Sequence, residues 1–173
     1  GSLVHEAQFA LFERLRDADL LPITAANLAP VRDLLDECLD ACAAELREQL
    51  LPRIERVWQD TVESIRADLR EWLRRCSEDG SGWVPWRFEL AFGLSDRRGR
   101  DERSVGEPAA LDCGIRLRGS IDLVERRGEG STGRLRATDH KTGKARMPGR
   151  GVIAGGSSLQ PVLFALALEK LYP

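Results

Sequence analysis

The sequence lacks a long apolar run, a signal-peptide pattern and a strong net charge. No apolar stretch approaches the roughly 18 residues that a membrane-spanning helix needs, and no segment has the pattern of a secretory signal. We therefore expect a soluble, cytoplasmic protein that does not contact a membrane. The chain has 173 residues, of which 42% are hydrophobic, enough to bury a core, and this length predicts a single domain over residues 1–173.

The chain also has little cysteine chemistry. It has four cysteines, and no two of them form a Cys-x-x-Cys motif. Cys38 and Cys42 are about one helical turn apart in an amphipathic segment, so we expect reduced, partly buried thiols rather than metal ligands.

The net charge of −2 does not by itself indicate a nucleic-acid partner, but the charge is unevenly distributed. Residues 115–150 contain ten Arg or Lys and four acids, a local charge of +6. A basic segment of this kind is suited to a phosphate backbone, and binding should then weaken steeply with salt. The alternative is that these arginines are simply solvated.

The pattern along the chain predicts helices followed by strands and a final helix. The helical part covers about residues 3–77, with helices at 3–19 and 28–76 and a break near Pro52. The second part covers about residues 83–173, with strands at 85–94, 115–124 and 134–140 and a helix that contains Gln160. This order is typical of an α/β fold. We interpret the extra helices as a layer that guides DNA or docks a partner.

The most informative segment is the predicted hairpin that carries Asp122 and Asp139. Residues 128–133 have the composition of a turn, and the two aspartates are equally far from its middle. A symmetric antiparallel register therefore places Asp122 beside Asp139. Lys141 is two residues beyond Asp139, so both side chains lie on the same face of an extended strand.

These residue types fit the hydrolysis of a phosphodiester bond. Mg²⁺ prefers hard oxygen ligands, which Asp122 and Asp139 offer. A bound divalent ion offsets the charge on the transition state and makes a water nucleophilic near neutral pH. Lys141 is placed to orient that water and to counter charge on the phosphate.

Three motifs occur together in the second half of the chain. They are Gly119-Ser120-Ile121-Asp122, then Asp139-His140-Lys141-Thr142-Gly143, then Gln160 with Phe164 four residues later. In this order they resemble the PD-(D/E)XK nuclease superfamily, specifically its RecB/AddB-like branch, whose last motif is Gln-x-x-x-Tyr. The resemblance implies a restriction-endonuclease-like core, in which helices flank a mixed central sheet, with an N-terminal helical insertion.

The resemblance also implies roles for further residues. Gly1-Ser2-Leu3-Val4-His5 is similar to a Gly-x-x-x-His element whose histidine approaches the metal, and Glu89 is similar to a glutamate on the preceding strand. The implied metal ligands are His5, Asp122, Asp139 and the backbone carbonyl of His140. The implied catalytic residues are Glu89, Asp122, Asp139, Lys141 and Gln160.

Several of these residues also have ordinary structural interpretations. His5 could be an exposed residue near a helix start, Glu89 an outward-facing strand residue, and Gln160 a polar position on an amphipathic helix. Phe164 is most simply a packing residue, and it lacks the hydroxyl of the tyrosine in the family pattern.

By resemblance, the predicted function is that of a Mg²⁺- or Mn²⁺-dependent deoxyribonuclease domain, with DNA and a helicase subunit or domain as partners. The alternative is a nuclease fold that has lost its chemistry and serves as a DNA-binding or scaffolding module. Some members of the branch carry an iron–sulfur cluster, but the cysteine spacing here does not resemble its pattern, so we expect no cluster within this chain.

Overall fold

The computed structural model describes residues 2–95, 100–128, 133–140 and 159–173. It divides the chain into two compact units, Gly1–Gly82 and Trp83–Pro173, called here the helical unit and the sheet unit. The predicted single domain stays a prediction. The elements are α1 (Ser2–Asp17), α2 (Leu28–Leu50), α3 (Glu55–Glu78), β1 (Val84–Phe92), β2 (Ala109–Ala110), β3 (Arg116–Leu117), β4 (Gly119–Arg127), β5 (Arg134–Thr138) and α4 (Gln160–Leu171).

The first helix of the helical unit forms because its apolar residues recur at every fourth position. Leu3, Ala7, Leu11 and Leu15 of α1 are all buried, as expected for one face of an amphipathic helix. Phe12 is also buried, and its ring meets that of Trp72 edge to face with 5.6 Å between the centroids. The predicted first helix is confirmed.

The predicted break near Pro52 is confirmed as the end of α2. Leu51 adopts a left-handed conformation (φ 44°), and its N–H bonds to the carbonyl of Arg47. This geometry closes the helix, and Pro52 cannot donate the hydrogen bond that would continue it. The chain then enters α3 at Glu55.

An ion-pair network joins α2 to α3. The Arg66 guanidinium lies 3.2 Å from Asp36 and 2.5 Å from Asp40, and Arg70 also donates to Asp36. Burial raises the pKa of Asp36, but the hydrogen bonds from Arg70 and Arg66 outweigh it and lower the pKa below its ordinary value. Asp36 is therefore ionised and held between the two arginines.

The sheet unit contains a three-stranded sheet in the order β1-β4-β5, with both pairs antiparallel. The predicted hairpin of residues 115–140 is confirmed as β4 and β5. The predicted strand 115–124 was wrong in its extent, because β3 pairs with β2 in a separate two-stranded sheet and β4 continues to Arg127. Glu125 and Arg136 form a direct cross-strand ion pair, which supports that extension.

The final helix packs onto this sheet. Pro161 stands in the first turn of α4, where its missing N–H has no helical partner to lose. Ala167 and Leu168 are buried against a cluster that contains Leu90, Ile121 and Val124. Strands and helices combine as predicted for the α/β class.

Three of the four cysteines belong to the helical unit and Cys113 belongs to the sheet unit. Cys38 is buried and Cys42 and Cys76 are half-buried, whereas Cys113 is exposed, and all four are free thiols. Burial raises the pKa of Cys38, and that of Cys42 to about 11, so both thiols are protonated near neutral pH. In residues 2–95, 100–128, 133–140 and 159–173, no helix has the length and apolar character needed to cross a bilayer.

Candidate active site

The strand register brings three acidic positions into line across the sheet. Phe88 of β1 pairs with Leu123 of β4, and Leu123 pairs with Thr138 of β5. Because the strands are antiparallel, the next row in the same register contains Glu89 of β1, Asp122 of β4 and Asp139. We call it the acidic row. The β4–β5 register is the symmetric one that the sequence predicts, although the ladder itself ends at Thr138 and Asp139 follows directly after it.

Glu89 and Asp122 approach each other from neighbouring strands. A carboxylate oxygen of Glu89 lies within 4.8 Å of one of Asp122. The backbone at Glu89 is left-handed (φ 49°), which is uncommon for a residue with a side chain, and such residues cluster at functional sites. Two like charges placed opposite each other on adjacent strands repel. A positive charge close to both carboxylates would reduce this repulsion.

One cationic side chain is already in place beside Glu89. Arg100 donates to Glu89 Oε2 at 3.0 Å, and the Ser120 hydroxyl donates to the same oxygen at 3.1 Å. Arg100 also reaches the Ser120 hydroxyl at 2.8 Å. Sequence reasoning missed both supporting residues. Ser120 stands within the Gly-Ser-Ile-Asp motif, which offered a signal, whereas Arg100 lies in a charged loop where spacing indicates nothing.

Backbone and side-chain donors hold the two aspartates. The His140 N–H donates to Asp122 Oδ2 at 2.7 Å, which ties the end of the hairpin to the acidic row. The Gln160 amide donates to Asp139 Oδ1 at 3.2 Å. Gln160 is thus in contact with the acidic row; an ordinary polar position on an amphipathic helix was the alternative interpretation of this residue. A metal-binding role of the His140 carbonyl stays a prediction.

The two remaining predicted site residues are Lys141 and His5. Lys141 falls outside the described residues, as do Thr142 and Gly143 of the same motif. His5 lies on α1 in the helical unit, and its role as a metal ligand stays a prediction.

Comparison with protein families matches residues 1–173 to the PD-(D/E)XK nuclease superfamily. The chain belongs to this superfamily. A search of curated proteins finds no significant match. PD-(D/E)XK proteins generally hydrolyse phosphodiester bonds, and the chain is a nuclease-type domain. Its mixed α/β structure, with a three-stranded antiparallel sheet and helices, agrees with the restriction-endonuclease-like fold predicted for it.

The hairpin carries the two aspartates of the predicted motifs. Asp122 lies on β4, and Asp139 follows directly after the last residue of β5. The symmetric β4–β5 register brings acids that are 17 positions apart in the sequence to adjacent strands. Their roles as catalytic residues and metal ligands stay predictions.

The donor chemistry fits a hard divalent cation, of the type that PD-(D/E)XK nucleases usually use. Glu89 and Asp122 offer carboxylate oxygens within 4.8 Å of each other. Two oxygens bound to one Mg²⁺ at 2.0–2.1 Å lie at most about 4.2 Å apart, so a small adjustment of either side chain would bring both onto one ion. Such an ion would also relieve the repulsion between the two carboxylates.

Proposed function

We propose that the chain is a metal-dependent deoxyribonuclease domain that hydrolyses phosphodiester bonds in DNA. The observation that carries this proposal is the like-charged carboxylate pair of Glu89 and Asp122, in line with Asp139 across the sheet. The two carboxylates repel each other although Arg100 already pairs with Glu89, so a bound metal cation would stabilise the site further. Membership of the nuclease superfamily gives an independent reason to expect such a cation.

In this proposal Asp122 and Asp139 hold Mg²⁺ or Mn²⁺, with Glu89, His5 and the His140 carbonyl completing the ligand set. The ion would neutralise charge on the scissile phosphate and lower the pKa of a water molecule. The His140 N–H keeps one oxygen of Asp122 fixed in orientation. A ligand whose orientation is fixed before binding loses less entropy when the ion arrives.

Lys141 and Gln160 would act on the reacting groups around the ion. From the alternation of an extended chain we expect the Lys141 side chain on the same side as that of Asp139, where its ammonium would orient the attacking water and counter phosphate charge. Gln160 donates to Asp139 and so would steady that carboxylate or, through the second N–H of its amide, the DNA.

We further propose that the domain belongs to the RecB/AddB-like branch and works in the cytoplasm with a helicase subunit or domain during DNA repair. Support comes from the motif at residues 119–122, the motif at residues 139–143, and Gln160. The test is whether the purified chain binds a protein that carries helicase motifs and whether ATP hydrolysis by that protein stimulates cleavage. A rate of DNA cleavage that does not change when the helicase and ATP are added would contradict this part of the proposal.

The alternative function is a nuclease fold without catalysis that binds DNA or scaffolds other proteins. The observation that favours it is Phe164, which lacks the hydroxyl of the tyrosine in the family motif. The presence of Asp122, Asp139 and Lys141 favours the enzyme.

The experiment that separates the two is cleavage of end-labelled single- and double-stranded DNA at low salt with Mg²⁺ or Mn²⁺. We expect Asp139→Ala and Lys141→Ala to lower the rate by a factor on the order of 10²–10³. The matched control is Lys170→Ala, because Lys170 pairs with Asp112, whose side chain is 91% exposed, and such pairs contribute little.

Metal binding measured by calorimetry completes the experiment. Metal-dependent cleavage that both variants lose, and the control retains, would establish the enzyme. DNA binding by the wild type with neither cleavage nor metal binding would reject it in favour of the binding module.

A further inference from the structure

A cavity of about 250 Å³ opens beside the acidic row within the sheet unit. We call it the Phe164 pocket. Four apolar side chains and two polar ones line it: Phe92, Leu117, Leu163, Phe164, Arg118 and Gln160. The pocket therefore combines aromatic and aliphatic walls with a single positive charge.

Gln160 connects the pocket to the acidic row. Its amide donates to Asp139 at 3.2 Å, and the same side chain forms part of the pocket wall. A molecule that fills the pocket is thus separated from the Asp139 carboxylate by one side chain. A nucleotide fits this spacing because one sugar joins its base to its phosphate. The base would fill the pocket, and the phosphate would lie near the acidic row.

The chemistry of the walls suits a base and a phosphate. The ring of Phe164 is half-buried and offers a flat face on which a nucleic-acid base can stack. Arg118 is exposed, and a guanidinium of this kind can donate two parallel hydrogen bonds to a phosphate. Apart from Gln160 and Arg118, the lining side chains have no groups that read base edges, so the pocket should accept every base.

The fold fixes the stem of Arg118 against the backbone. Gly93 has a φ of +69°, and a Cβ placed there would lie 2.5 Å from Arg118 Cγ. The absence of a side chain at Gly93 is therefore what allows Arg118 its place at the pocket. The same glycine also donates its N–H to the carbonyl of Val105, which holds this part of the chain in position.

We propose that the Phe164 pocket is a nucleotide subsite, which stacks the base next to the scissile phosphate while Arg118 binds the neighbouring phosphate. This inference rests on the proposed nuclease function and adds to it the way in which the substrate is positioned. Cleavage should then depend on the presence of a base at this position and not on which base it is.

The test uses single-stranded oligonucleotides of one mixed sequence, intact or with a single abasic site. We expect the wild-type chain to cut the bond beside the abasic site about tenfold more slowly than the same bond in the intact strand. Phe164→Ala should cut both strands at the same, lower rate. Arg118→Ala should raise KM about tenfold on both strands with little change in kcat.

Each variant has a matched control on the same element or next to it. Val162→Ala removes an apolar side chain from α4 that is 44% exposed and does not line the pocket. Arg116→Ala removes an exposed arginine two residues before Arg118. Both controls should retain the wild-type preference for the intact strand. If Phe164→Ala fails to fold, as judged by circular dichroism, the wild-type comparison and Arg118→Ala decide.

The outcomes separate the pocket from the nuclease function. Cleavage that is equally fast at abasic and intact positions in the wild type would overturn the pocket and leave the nuclease function standing. If no DNA is cut, binding of an oligonucleotide that contains 2-aminopurine replaces the rate measurement. Quenching of its fluorescence that Phe164→Ala abolishes and Val162→Ala preserves would support the pocket without catalysis, and its absence would overturn the pocket as well.

Discussion

In the helical unit, opposite charges face each other across α2 and α3, whereas in the sheet unit two carboxylates approach each other from adjacent strands. Asp36 lies between Arg66 and Arg70, so its charge is balanced within the fold. Glu89 and Asp122 lie within 4.8 Å of each other. Charges of the first kind stabilise the folded chain. Charges of the second kind repel each other, and Arg100 offsets part of this repulsion at Glu89.

The sheet unit nevertheless contains a balanced pair of its own. Glu125 accepts two hydrogen bonds from Arg136, at 2.7 and 2.6 Å, and one from the Thr138 hydroxyl at 2.7 Å. Glu125 and Asp122 are three residues apart on β4. Glu125 faces an arginine, whereas Asp122 faces a second acid, Glu89. This difference indicates that the unusual charge arrangement is confined to the acidic row and is not a property of the sheet as a whole.

The largest effect on stability should come from the core of the helical unit. Phe12 is 2% exposed and packs edge to face on Trp72, so Phe12→Ala leaves a cavity and removes an aromatic pair. We expect a loss of about 4 kcal/mol in the free energy of unfolding, measured by urea denaturation of the full chain.

The control for this variant is Val57→Ala on α3, where the side chain is 58% exposed. It should change the free energy of unfolding by no more than about 0.5 kcal/mol. A similar result for both variants would show that Phe12 is not a core residue and that the helical unit depends mainly on its ion pairs.

A smaller effect should follow from the balanced pair of the sheet unit. Glu125→Gln removes the charge that faces Arg136 in a position where the glutamate side chain is 10% exposed. We expect a loss of about 2 kcal/mol in the free energy of unfolding. Glu102→Gln is the matched control, because Glu102 is 68% exposed and lies 3.9 Å from Arg87, so its loss should be near zero.

The smallest effect, and one that depends on pH, should come from Asp36→Asn. Because the folded state lowers the pKa of Asp36, its ionised form stabilises the fold above the unfolded pKa, and this contribution is lost as pH falls through the folded pKa. The side chain is 25% exposed, so we expect about 1 kcal/mol at pH 7.

Thermal melts of wild type and Asp36→Asn between neutral and strongly acidic pH measure this difference. The two curves should converge at low pH, and DNA cleavage should remain at the wild-type rate. Asp60→Asn serves as the control, because Asp60 is 74% exposed and lies 4.0 Å from Arg56. A difference that grows toward low pH would contradict the assigned direction of the pKa shift.

Much of the fold could be predicted from the sequence because it follows from short-range patterns. The apolar positions of α1 recur at helical spacing, and Pro52 marks the end of α2. The glycine-rich sequence at residues 128–133 lies midway between Asp122 and Asp139, and the β4–β5 pairs follow that symmetry. Each of these features depends on residues that are near neighbours in the chain.

The sequence alone could not predict the division of residues 115–124 into two strands. Arg116 and Leu117 pair with β2, whereas Gly119 begins the strand that pairs with β1. Both segments have the alternating composition of a strand, so periodicity cannot distinguish their partners. Pairing depends on which distant segment each strand meets.

The motifs, the hairpin register and the two acids that this register brings together follow from local sequence. Only the tertiary structure placed Glu89 opposite Asp122, supplied Arg100 and Ser120 to Glu89, and formed the Phe164 pocket beside Gln160. The physical reason is that residue spacing fixes directions along one helix or hairpin. Contacts between elements far apart in the sequence are decided by the packing of the whole unit.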